Sequence, residues 1–294
     1  MSIVTFWNDD KEQTGKTLTA VAVATKMAIE RNFKILLLST SYKETTIKNC
    51  FWTDDIQKNL KVLQGKGTGL AVENGIEGLS KLILSNKIEP SIITDYTKVI
   101  FKNRLEVLNS FSGSKDLSAE ENLYNYHKTS ESYPDLIRTA NQYYDMVLVD
   151  LDNNLKKEIK EAILEMANVN VLVISQRLNA LNEYKEAKNT NKLINNPKCI
   201  PVIGKYNKYS KYNKKNILRY LEEKKDINLI PYNTLFFETA EEAAVTEYFL
   251  KLRDIKDVND DNYFFISEVT KLLDNIITRL KDLQMKMRWK NVNI

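Results

Sequence analysis

Two lysines, a glycine and two threonines crowd the segment Lys11-Glu12-Gln13-Thr14-Gly15-Lys16-Thr17, and their chemistry is that of an anion trap. Unpaired N–H groups at the start of a helix, with the positive end of its dipole behind them, attract negative charge. In that setting Lys16 reaches the terminal phosphates of a nucleotide, and the Thr17 hydroxyl sits on a magnesium ion. A carboxylate that can share the ion stands far along the chain, where Asp150 closes the apolar run Tyr144-Asp145-Met146-Val147-Leu148-Val149. An aspartate ending a buried strand binds magnesium through water. It can equally cap the turn that follows, and its pairing with the loop at 11–17 is what favours the ion.

These side chains need a strand before the loop and a helix after it. Ile3–Trp7 is a short apolar, β-branched run, and from Leu18 onward Val21, Ala24, Thr25, Ala28 and Ile29 recur at helical spacing. The common phosphate-loop pattern opens with a glycine where this chain has Asp10. Further apolar runs at 34–38, 169–175, 199–208 and 227–233 read as buried strands, with helices expected near 133–143, 156–166, 182–194 and 214–223. Such alternation predicts an α/β fold, a mainly parallel, twisted sheet with helices on both faces. Ligands of such sheets bind at the carboxyl ends of the strands, where Gly15, Ser41, Asp150 and Ser175 fall. The cluster Gly65-Lys66-Gly67-Thr68-Gly69 reads as a turn. Residues 112–130 are polar and acidic, and read as a mobile insertion.

The spacing of Lys11 and Lys16 resembles the deviant Walker A motif, Lys-Gly-Gly-x-Gly-Lys-Thr, of the ParA/MinD family of P-loop ATPases. Both lysines and the last glycine stand, while Glu12 and Gln13 replace the two middle glycines. The resemblance implies ATP and Mg²⁺ as ligands. Phosphates would be held by Thr14, Gly15, Lys16, Thr17 and Leu18, and the metal by Thr17 and Asp150. Lys11 would reach the nucleotide of a second copy, making the homodimer ATP-dependent. The adenine pocket of the family maps onto Asn207, Pro231 and Tyr232. Its water-orienting aspartate, at the end of the second strand, falls on Ser39 or Ser41, which puts hydrolysis rather than binding in doubt. The resemblance covers most of residues 1–250 in order, giving a P-loop domain over 1–255 and a C-terminal helix within 256–294.

Composition removes other classes. A hydrophobic fraction of 43% with 28% charged residues is ordinary for a globular protein. One histidine, His127, leaves little material for a zinc site or a histidine-based triad. Two distant cysteines, no bilayer-length apolar run and no signal-like start point to the cytoplasm. The net charge of +4 does not announce a nucleic-acid binder. Lysines and tyrosines interleave over 205–220, however, and Lys208, Lys211, Lys214, Lys215 and Arg219 suit non-specific DNA contacts or a plain solvated face. From Ile266 to Met287 an apolar seam in steps of three and four marks a helix. Its basic end could meet a partner or an anionic membrane, and Asp282 with the Asn-rich ending argues for the partner.

The expected function is ATP-dependent partitioning of DNA or positioning of a protein assembly, with a small adaptor as one class of partner. A pseudo-ATPase localisation scaffold of the pilus or secretion type is the alternative, because side chains stand where bare backbone must approach phosphate. A small-molecule synthetase of the same fold remains a third.

Overall fold

The computed structural model describes residues 1–9, 13–52, 75–85, 89–223 and 226–292, with side chains as far as 285. Lys11, Glu12 and the glycine cluster at 65–69 lie outside the described residues.

In chain order the first elements are β1 (Ser2–Trp7), α1 (Lys16–Glu30), β2 (Ile35–Ser39), α2 (Thr46–Phe51) and α3 (Ile76–Leu84). There follow β3 (Lys98–Phe101), β4 (Leu105–Leu108), α4 (Ala119–Ser130), α5 (Tyr133–Ala140) and β5 (Met146–Asp150). Next come α6 (Lys157–Met166), β6 (Val169–Ile174), α7 (Leu178–Thr190), β7 (Cys199–Tyr206), α8 (Lys214–Tyr220) and β8 (Asn228–Pro231). The chain closes with α9 (Thr234–Glu241), α10 (Val245–Lys251) and α11 (Asp261–Val292).

The strands form one sheet in the order β3-β4-β2-β5-β1-β6-β7-β8, every neighbouring pair parallel except β3 with β4. The central strands are buried on both faces, which is why they read as unbroken apolar runs. Side chains alternate between two cores. Ile3, Trp7, Leu36 and Leu38 face α5 and α6, while Val4, Phe6, Ile35 and Leu37 face α1 and α11. Each such side chain withdrawn from water contributes about 1.5–3 kcal/mol. Asp150 lies opposite Phe6 of β1 and Ser39 of β2, so the ends of three strands meet beside the start of α1.

Several elements differ from the sequence reading. Residues 119–130 form a helix rather than an open insertion, because Ser118 and Glu121 close a capping box: Glu121 N donates to Ser118 Oγ at 3.1 Å, and Ser118 N donates to Glu121 Oε2 at 2.8 Å. Tyr126 of that helix is buried in the core. Strand β3 escapes a reading based on burial, since it runs antiparallel at the sheet edge with Val99 half exposed. Helix α7 begins four residues earlier than the expected Asn182.

Candidate functional site

Gly15 turns the chain into α1 with φ at +81°, a left-handed conformation that favours glycine. Its carbonyl accepts from both Thr19 N and Thr19 Oγ1 at 2.9 Å, closing the first helical turn. The next side chains meet the end of β5. Thr17 Oγ1 donates to Asp150 Oδ2 at 2.9 Å, and the Lys16 ammonium stands 3.1 Å from Asp150 Oδ1 while donating to the Leu151 carbonyl. Asp150 is fully buried, and although Lys16 lies beside its Oδ1, no donor is aligned on that oxygen for a hydrogen bond. A hydroxyl and a buried carboxylate with an unsatisfied oxygen are the hard donors that magnesium takes, so these residues fit that ion.

The loop leans on β7. A Cβ on Gly204 would stand 2.1 Å from the Thr14 carbonyl oxygen, so only glycine permits this approach. Thr14 itself is 2% exposed, and its Oγ1 has no hydrogen-bond partner. On the other side of the loop, Lys160 of α6 donates to the Asn8 carbonyl at 3.3 Å and pairs with Asp9 at 3.6 Å. Burial holds the Lys160 ammonium below its ordinary pKa, opposed by Asp9 and reinforced by nearby Lys16.

The end of β2 carries no carboxylate. Ser41 N donates to Ser39 Oγ at 3.3 Å, and Thr40 N donates to the Asp150 carbonyl at 3.1 Å. Beyond Asp150, a second acid stands beside this turn: Asp152, whose Oδ2 accepts from Tyr42 N and from the Tyr126 hydroxyl, both at 3.3 Å. The Tyr126 hydroxyl also lies 2.9 Å from the Thr40 carbonyl. Burial first, and Asp152 second, push the Tyr126 hydroxyl well above its ordinary pKa. Sequence reasoning missed Asp152, Lys160, Gly204 and Tyr126. Only Gly204, a glycine inside an apolar strand, carried a local signal.

Asn207, Pro231 and Tyr232, expected at the adenine end, line a single cavity of about 400 Å³ with Tyr206 and Phe264. Gln176 brackets the Asn207 backbone: its Oε1 accepts from Asn207 N at 2.8 Å, and its Nε2 donates to the Asn207 carbonyl at 3.0 Å. Pro231 and Tyr232 also share a narrow cleft of about 50 Å³ with Gly15, Leu18 and Lys205, which links this end to the loop. Larger hollows exist elsewhere. One of about 600 Å³ lies between α3 and α4, but the Glu77 carboxylate there is already committed to Ser112 N, Ser112 Oγ and Gly113 N.

The basic stretch is less free than its composition suggests. Lys208 pairs with Asp261 and Lys214 with Asp226, each at 2.7 Å. Lys211 lies over the Tyr212 ring at 5.1 Å, and Lys215 and Arg219 are exposed on α8.

No family model and no curated protein matches this sequence. Solved structures do match the fold. A ParA family ATPase from Chlorobium tepidum superposes with a TM-score of 0.62 at 15% identity, over 90% of this chain and 96% of that one. The septum site-determining protein MinD from Pyrococcus horikoshii, complexed with Mg-ADP, gives 0.61 at 11% identity, over 94% and 97%. A putative plasmid partition protein from Borrelia burgdorferi, bound to AMPPNP, gives 0.57 at 16% identity, over 97% and 99%. The chain therefore has the fold of the ParA/MinD P-loop ATPases: one α/β unit built on a mostly parallel eight-stranded sheet.

Proposed function

We propose that this chain binds ATP with magnesium and works as a nucleotide-dependent homodimer in the cytoplasm, partitioning DNA or positioning a protein assembly. The observation that carries the reading is the Thr17 hydroxyl 2.9 Å from a fully buried Asp150, at the N-terminus of a long helix. That pair sets two oxygens where a magnesium ion between phosphates and protein would be held. When bound, the ion screens phosphate charge. Gly15 turns the loop so that first-turn N–H groups face the anion, and Lys16 supplies the cation. For that, Lys16 must leave Leu151 and Asp150. Asn207, Pro231 and Tyr232 would receive the base, and Lys11 would serve the partner copy's nucleotide.

A second reading, a localisation scaffold with slow or absent turnover, is favoured by one observation: β2 ends at Ser39 and is followed by Ser41, neither of which carries a charge to orient water. Calorimetry with Mg-ATP tests the first reading, with Lys16→Ala as control. Heat from wild type and none from the variant is expected, and a null heat from both discards nucleotide binding. Sedimentation should show the mass doubling with Mg-ATP for wild type and not for Lys11→Ala; a wild-type mass unchanged by ATP removes the dimer. Phosphate release separates the two readings, since a scaffold gives binding without turnover. A duplex shift assay across salt tests DNA binding, which should weaken with salt and on removing Lys211, Lys215 and Arg219.

A further inference from the structure

We propose that Lys205 is a second phosphate-facing cation of the loop, standing over Gly15 from the end of β7. The inference rests on the reading above, that the loop holds a nucleotide.

Three independent features place it there. Lys205 has φ at +46°, a left-handed conformation unfavourable for a residue with a side chain, and such strain persists where the surroundings impose it. The β7–β8 register shifts between Ile203 and Tyr206, an irregularity of the kind that re-aims a side chain beside a site. The Lys205 side chain also lies against Gly15: its Cγ, Cε and Cδ are 3.0, 3.6 and 3.8 Å from where a Cβ of Gly15 would stand. The ammonium, one bond beyond Cε, is therefore held close beside Gly15.

Charge completes the argument. The Lys16 ammonium is engaged by Asp150 and Leu151, whereas Lys205 is exposed and, among the described residues, has no carboxylate or carbonyl partner. An unpaired ammonium held over an anion-binding turn by a strained backbone has polyphosphate oxygens as its matching ligand class.

The test is a titration with a fluorescent ATP analogue plus magnesium, with competition by inorganic tripolyphosphate, for wild type, Lys16→Ala, Lys205→Gly, Lys205→Met and Lys205→Arg. Lys205→Gly relaxes the left-handed backbone, so folding is protected in at least one variant. Losing one charge-assisted contact should weaken both ligands roughly tenfold or more in the Gly and Met variants, with Lys205→Arg near wild type. Wild-type-like affinity of Lys205→Gly, beside a loss in Lys16→Ala, overturns the assignment and leaves nucleotide binding standing. A loss for the ATP analogue with tripolyphosphate unchanged also overturns it, because the contact is then to base or sugar. No binding by wild type removes this proposal together with the reading beneath it.

Discussion

The turn that leads into α1 has few glycines of its own, and a neighbouring strand supplies clearance beside it. Gly204 is the clearest case: the Thr14 carbonyl oxygen occupies the place of its missing side chain, at 2.1 Å. In Gly204→Ala either β7 or the loop must yield. Overpacking of this kind costs about 1–3 kcal/mol, and a displaced loop should also lose Mg-ATP affinity. A thermal melt and a nucleotide titration check both; an alanine variant that matches wild type in each would mean that the loop moves freely. The residues that could hold a ligand were legible wherever chemistry and chain neighbours coincide, as at Gly15, Lys16, Thr17 and Asp150. They were illegible where the relation is spatial. Lys205 looked like any lysine in a lysine-rich stretch, and Asp152 like a second acid after the first.

Helix α4 shows what the sequence revealed about elements and what it hid. The strands buried on both faces announced themselves by apolar runs, but α4 is polar over most of its surface, and composition alone suggested a loop. The capping signature Ser118-x-x-Glu121 was the overlooked signal. Ser118→Ala should cost about 1 kcal/mol, read as a lowered melting temperature, with Glu121→Ala as a second probe of the same box. The Tyr126 hydroxyl pins α4 to the Thr40 carbonyl and to Asp152, joining the ends of β2 and β5 from outside. Tyr126→Phe keeps the ring and removes these contacts, so a loss of about 1–3 kcal/mol is expected in chemical denaturation. Unchanged stability would show that water replaces the phenol without cost. The edge strand β3 and the helices α9 and α10 went unread for a different reason: they are short, and their apolar faces are incomplete until packed.

For the molecule as a whole, burial makes two predictions. Burial pushes the Cys199 thiol up to about 12, despite the opposing charge of Arg279, and Cys50 is enclosed to the same degree. Neither should react with a disulfide reagent near pH 8 in the native protein, and both should react after unfolding. A fast native reaction at either thiol would mean that the fold opens there. Leu273 of α11 is fully buried in the core shared with α1, and Leu273→Ala should cost roughly 2–5 kcal/mol in a denaturant melt.

Helix α1, at whose start the proposed ligand would sit, is buried without a break from Thr19 to Ala28, between the sheet and α11. It behaves as an anvil. A charge arriving at its tip finds no slack behind it, for the helix can neither roll nor slide without opening the core it shares with the sheet and α11. A ligand bound there is therefore expected to shift the turns that follow β2, β5 and β7 rather than the helix itself.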